Sequence, residues 1–302
     1  MDRMSLTNSK VLITGGNGYL GNFLSQKLTE KGADVSILDV KGSGRNTYHV
    51  DITNKSSVRE AVQEIDPDIV FHLAASLNRK RDFTIHDEVM AINYGGTLNL
   101  LHALNDIDYQ NLIFASTGEI YGNGGTPFHE EQPGDPVSPY SLSKFCAEYL
   151  LKTYSKISSK PYTILRVFNF FGRKMPDQFF IPQLVHALRT GSAFKMTEGE
   201  QARDFLHIED VVQAFLLSAQ NEEALNQTLN VCSGRSTTLK ELALLMREAA
   251  KSQCKIEFGA LRYRENEIWD MVGSNQRIKE VLGFNPKYSL TSAIEDVLKE
   301  IR

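Results

Sequence analysis

Apolar and polar positions alternate in blocks along the first half of the chain. Short apolar runs rich in β-branched and aromatic residues, at 11–14, 35–39, 69–73, 112–115 and 162–165, have the length and composition of strands buried on both faces. Between them, helical periodicity covers 19–31, 56–65, 87–104 and 141–156. Strand–helix alternation sustained over this length predicts an α/β fold with a doubly wound parallel sheet and helices on both faces. Beyond about residue 170 the pattern loosens into predicted helices at 179–189, 210–219, 239–251 and 290–301, separated by a glycine-punctuated stretch up to His207. The division expected is a sheet domain over 1–168 and a smaller mixed α/β lobe over 169–302, the two interleaved. The Gly- and Pro-rich segment 122–139 reads as a surface loop beside a site.

Composition narrows the class. The chain has 302 residues, with 33 Lys and Arg against 37 Asp and Glu, a net charge of −4. No apolar run approaches the roughly 18 residues that span a bilayer. The polar start of the chain lacks a secretory stretch, which points to a cytoplasmic protein. Three scattered cysteines make neither a disulfide framework nor a zinc site, so no metal is expected. The mild acidity supplies no field for nucleic acid or membrane, and any bound anion needs a local site.

One such site follows the first strand. Gly15-Gly16-Asn17-Gly18-Tyr19-Leu20-Gly21 runs into a helix, and glycines there let a pyrophosphate approach the positive helix end. Asp39 ends the second strand, where a carboxylate accepts from ribose hydroxyls and repels a 2′-phosphate. This predicts a dinucleotide site in a Rossmann fold that takes NAD, with NADP kept open by Lys41 and Arg45. The second constellation is Tyr140-Ser141-Leu142-Ser143-Lys144. Tyr and Lys four apart share a helix face, so an ammonium can lower the pKa of a phenol used as a base.

With these motifs in place, the sequence resembles the extended short-chain dehydrogenase/reductase family, in its nucleotide-sugar branch. The resemblance covers nearly the whole chain. It includes Asp51-Ile52, His72-Leu73-Ala74-Ala75, Asn93 with Gly96-Thr97, Ser116-Thr117 to Tyr121-Gly122, Arg166 to Asn169, Arg203-Asp204-Phe205 and Arg262 to Glu265. It implies a cofactor set of Gly15, Gly18, Tyr19, Leu20, Gly21, Asp39, Asp51, Ile52, Leu73, Ala74, Ala75, Tyr140 and Lys144. In the same way it implies Thr117 as the group that hydrogen-bonds the reacting sugar oxygen, Tyr140 as the base and Lys144 as its electrostatic partner. Asn169, Arg203 and Arg264 fall where the branch holds the substrate diphosphate, and guanidiniums suit that anion. The implied partner is a nucleotide-diphosphate sugar. The implied assembly is a homodimer built on the stretches 86–104 and 140–156, with Leu98, Leu101, Phe145 and Tyr149 as interface candidates.

The reaction is read from the residues after Thr117. Dehydratases of the branch follow this position with Asp and Glu, whereas here it is followed by Gly118 and Glu119, leaving a possible base and no acid. The leading expectation is an NAD-dependent epimerase acting at carbon 4 through a transient keto sugar. The alternative is an NAD(P)H-dependent 4-ketoreductase of a 4-keto-6-deoxy nucleotide sugar. Behind these stand a 4,6-dehydratase or decarboxylase and, last, a non-catalytic dinucleotide-binding subunit. Arg79-Lys80-Arg81 is read as a solvated charge run, with a uronate carboxylate as its alternative use. His72, His129 and His207 are read as structural, and Phe168, Phe170, Phe171, Phe179 and Phe180 as core. Trp269 is left open between substrate contact and surface.

Overall fold

The computed structural model describes residues 5–42, 44 and 46–299. Arg45 therefore lies outside the described residues, as does the end of the helix expected to reach 301. Strands β1 (Lys10–Thr14), β2 (Asp34–Asp39), β3 (Thr47–His49), β4 (Ile69–His72), β5 (Asn111–Thr117) and β6 (Tyr162–Val167) lie side by side in one parallel sheet. Next, β7 (Asn169–Phe171), β8 (Phe194–Lys195) and β9 (Ala202–His207) belong to the second lobe. The chain then returns, and β10 (Gln227–Val231) completes the sheet in the order β10-β6-β5-β4-β1-β2-β3. The seventh strand thus comes from beyond residue 168. The remaining short strands are β11 (Ser236–Thr238), β12 (Ile256–Glu257) and β13 (Asp270–Met271). Of these, β11 and β13 pair with β9, and β12 pairs with β8.

Helices cover both faces. On one side α1 (Tyr19–Glu30) packs with apolar residues of β1 and β4. On the other lie α2 (Lys55–Ile65), the short α3 (His86–Met90), α4 (Gly96–Leu104) and α5 (Pro139–Ser158). A π-turn, Ala91–Gly95, joins α3 to α4, so the expected single helix over 87–104 carries a widened turn in its middle. Helix α6 (Phe180–Thr190) sits in the second lobe, while α7 (Ile208–Gln220) returns to cover the sheet beside α1. Helices α8 (Leu239–Ala249) and α10 (Leu290–Leu298) close the core of the second lobe, and α9 (Gln276–Leu282) joins the sheet core. Among the described residues no helix is long and apolar enough to cross a membrane.

A fourth apolar cluster, including Ile120, Tyr121, Phe128, Phe168 and Met271, lies where the lobes meet. Segment 122–139 is the surface loop expected from its Gly and Pro content, with exposed residues along its length, and it is pinned to this cluster at one ring. Phe128 is 1 % exposed. Its backbone pairs with Val272 and Ser274, and Thr126 Oγ1 donates to Asp270 at 2.8 Å. Burial of one aromatic ring turns the segment into a strap across the two lobes.

Candidate active site

The winding of the sheet reverses between β1 and β4, and a crevice opens at their carboxyl ends. Gly15 leaves β1 with φ +71°, and a Cβ there would stand 2.7 Å from the Ala74 nitrogen. At Gly21 a Cβ would meet the Gly15 carbonyl at 2.5 Å, so the first turn of α1 can approach β1 only without a side chain. Helix α1 starts at Gly18 with no side-chain cap and no acidic residue in its first turn. The positive end of the helix lies at this turn.

Asp39 is fixed at the end of β2 by two backbone donors, Asn17 at 3.0 Å and Lys41 at 2.9 Å. Asp51 accepts from the Thr53 backbone and hydroxyl, and Ile52 is buried against Gly96. The Ala74 nitrogen donates to Thr14, and Leu73 and Ala75 flank it along the same crevice. A glycine cradle that side chains would fill, an uncapped helix end and a carboxylate at the second strand fit a dinucleotide. Tyr19 stacks on Phe170 at the other side of the loop.

The second group gathers beyond β5. Thr117 ends the strand and accepts from the Glu119 nitrogen at 3.1 Å. Helix α5 begins with a capping box between Ser138 and Ser141 and a proline at its first position, which fixes where Tyr140 emerges. Tyr140 is 4 % exposed, and burial pushes its phenol above the ordinary value. The Arg79 charge and hydrogen bonding from Arg79 and Thr117 oppose that rise, while Glu119 adds to it. One turn on, the Lys144 ammonium sits 4.0 Å from the centre of the Phe114 ring. Burial lowers it to about 7, with Glu148 pulling the other way.

Beneath these groups lies a polar scaffold of hydrogen-bonded side chains. His72 lies between Thr14 at 2.6 Å and Thr97 at 2.9 Å. Burial and the nearby Lys144 drop it to about 3, so it is a neutral bridge. Glu148 accepts from Ser116 and is paired with Arg166, which also reaches Tyr121. His207 stacks on Tyr288 and meets Asp296. Of the phenylalanines, Phe168 and Phe171 are core. A Cβ on Gly118 would strike the Phe168 ring at 2.8 Å, which leaves no room for an acid at that position.

The three implied diphosphate residues are placed differently from one another. Asn169 has a buried side-chain oxygen without a hydrogen-bond partner. Arg203 is engaged within the protein, donating to Glu267 at 2.6 Å and to two carbonyls at 2.7 Å. Arg264 is exposed. Trp269 is half-exposed and meets Tyr263 edge-on.

One expectation needs correction. In the run 79–81 only Lys80 is exposed as a solvated charge; Arg79 and Arg81 are not. The Arg79 guanidinium lies 5.1 Å from the centre of the Tyr140 ring and its Nε 3.8 Å from Glu119. Arg81 donates to the Glu265 carbonyl at 3.3 Å and feels Glu119, Glu267 and Arg264. The one available signal was position: a basic run in the loop after a central parallel strand faces the crevice.

A Rossmann sheet with a glycine cradle, and a Thr–Tyr–Lys cluster at its carboxyl edge, define a dinucleotide-dependent oxidoreductase or epimerase. The chain belongs to the NAD dependent epimerase/dehydratase family, whose model matches residues 11–232. It is 29 % identical over 318 residues to a UDP-N-acetyl-alpha-D-glucosaminuronate decarboxylase of Bacillus cytotoxicus, covering 97 % of this chain and 98 % of that one. It is 28 % identical over 306 residues to a GDP-6-deoxy-D-mannose reductase of Pseudomonas aeruginosa, covering 96 % of each. The UDP-glucose 4-epimerase of Thermotoga maritima, solved with UDP-glucose, superposes with a TM-score of 0.89 at 27 % identity, covering 96 % of this chain and 97 % of that one.

Proposed function

We propose that this protein is an NAD-dependent nucleotide-sugar epimerase acting at carbon 4. The observation that carries the reading is the pairing of a fixed Asp39 carboxylate with the Thr117–Tyr140–Lys144 cluster across one crevice. Asp39 has both oxygens oriented by backbone N–H groups, which leaves it set to accept from a ribose diol and to repel a 2′-phosphate. The glycine loop and Ala74 would hold the pyrophosphate.

Tyr140 acts as the base on the sugar hydroxyl, Thr117 orients that oxygen, and Lys144 holds the nicotinamide ribose. NAD, when bound, supplies a hydride acceptor that later returns the hydride. Tyr140 then gives the proton back, and the product is the epimer if the keto sugar has turned over in between. Asn169, Arg203, Arg264 and Arg81 make up the face proposed for the diphosphate. Glu119, bonded to Ser138 at 2.8 Å, shapes the wall beside Tyr140.

A 4-ketoreductase is the second reading, favoured by the similarity to the GDP-6-deoxy-D-mannose reductase. It uses the same proton donor in one direction only. We place the protein in the cytoplasm as a homodimer paired through α4 and α5. The exposed Tyr149 and half-buried Leu98 serve that face, whereas Leu101 is core. Purified protein, denatured to release its nicotinamide, is expected to yield NAD. In parallel, native protein is expected to interconvert two 4-epimers in a sugar-nucleotide panel without added cofactor. An empty protein that needs added NADH or NADPH supports the ketoreductase instead.

A further inference from the structure

The phenolate required at Tyr140 meets an electrostatic difficulty in this fold. Burial disfavours it, and the Lys144 ammonium, pressed against Phe114, is itself weakened by burial. A second cation stands at the Tyr140 ring itself. Arg79 reaches over Tyr140 from the loop after β4, with its Nε buried and without a hydrogen-bond partner.

Two ties hold that loop against α5. Asn93, in the π-turn, accepts from the Ser76 nitrogen at 2.7 Å and donates to the Ser143 hydroxyl at 2.9 Å. Ser143 in turn donates to the Tyr140 carbonyl at 2.7 Å. The second tie is Glu119, which faces Arg79 with one oxygen and accepts from Ser138, the cap of α5, with the other. Arg79 is thereby registered to Tyr140 through two independent side chains.

We propose that Arg79 is a positioning residue for proton transfer: its guanidinium, set over the Tyr140 ring by Asn93 and Glu119, stabilises the phenolate, and Glu119 moderates that charge. The proposal rests on the reading of Tyr140 as the proton-transfer group. The charged groups that act on Tyr140 are Arg79 from the β4 loop and Glu119 after β5, while Lys144, one turn on along α5, is turned to the Phe114 ring. Behind Lys144 stand Glu148 and the neutral His72, and Arg81 stands on the far side of Glu119. Removing the Arg79 cation must raise the pH at which Tyr140 ionises, and removing the Glu119 charge must lower it.

The test is an ultraviolet tyrosinate titration of the NAD-loaded protein without sugar, read as the difference from Tyr140→Phe. Arg79→Met is expected to move the Tyr140 midpoint up by about one pH unit or more. Arg79→Lys is expected to restore most of it, and Glu119→Gln, which can keep the Ser138 bond, to shift it down. A midpoint that Arg79→Met leaves in place, or that Glu119→Gln leaves in place or raises, overturns the role of Arg79. The Glu119→Gln arm stands alone if Arg79→Met does not fold. An absent Tyr140-dependent ionisation overturns the reading of Tyr140 and the role of Arg79 together.

Discussion

The Asn93 side chain bonds Ser143 on α5 at 2.9 Å and the Ser76 backbone on the β4 loop at 2.7 Å and 3.2 Å, so one amide fixes both walls of the site. Asn93 is 1 % exposed. Asn93→Ala leaves buried donors and acceptors unmatched, a loss of about 1–3 kcal/mol for each group that water does not reach. A lower midpoint in denaturant is expected, with turnover falling further than NAD affinity, because the glycine loop after β1 and Asp39 on β2 make no contact with the Asn93 amide. Unchanged turnover in a folded variant would contradict this placement.

Tyr140→Phe removes only the hydroxyl from a ring held by α5. Turnover is expected to fall by about 10²–10⁴-fold, with NAD binding, followed by calorimetry, close to that of the parent protein. Near-normal turnover would remove Tyr140 from the mechanism.

Lys144 gives a pH signature in the cofactor-free protein. Its folded value, about 7, lies below the ordinary 10.5, and burial is the cause. Between those values the unfolded chain binds a proton that the folded chain lacks, so stability from this group rises as pH rises through the window. The slope is at most about 1.4 kcal/mol per pH unit. Lys144→Met is expected to flatten the rise, as measured by denaturant unfolding at several pH values. An unaltered slope would show that the ammonium keeps its charge.

Asp39→Asn retains an acceptor for the Asn17 nitrogen and removes the charge. NAD affinity is expected to weaken by about tenfold or more, as for loss of a charged hydrogen-bond partner, while NADP affinity improves. If NADP binds the parent protein as well as NAD does, Lys41 governs the choice and the role given to Asp39 fails.

What could be read from the sequence follows from how local each signal is. The strands at 11–14, 69–73 and 112–115 are continuous apolar runs, and the glycine loop and the Tyr140–Lys144 pair are short motifs, so all are visible without tertiary knowledge. Strand β10, Gln-Thr-Leu-Asn-Val, has little apolar signal of its own and is a strand because β6 offers it an edge. Phe128 converts a Gly/Pro segment into a strap through contacts far away in sequence. Arg79 looks like any surface cation until Asn93 and the π-turn bring its loop over α5, a relationship that spans residues 76 to 143. Asn169, Arg203 and Arg264 share a motif-level expectation, yet Arg203 is tethered to Glu267 and Arg264 is exposed.

The most direct test of the central claim uses a nucleotide hexose carrying deuterium at carbon 4, incubated with the purified protein and no added cofactor. The account predicts a mixture of the two 4-epimers, with the deuterium kept at carbon 4 and no loss of label to water. Product that appears only as added NADH or NADPH is consumed would contradict it.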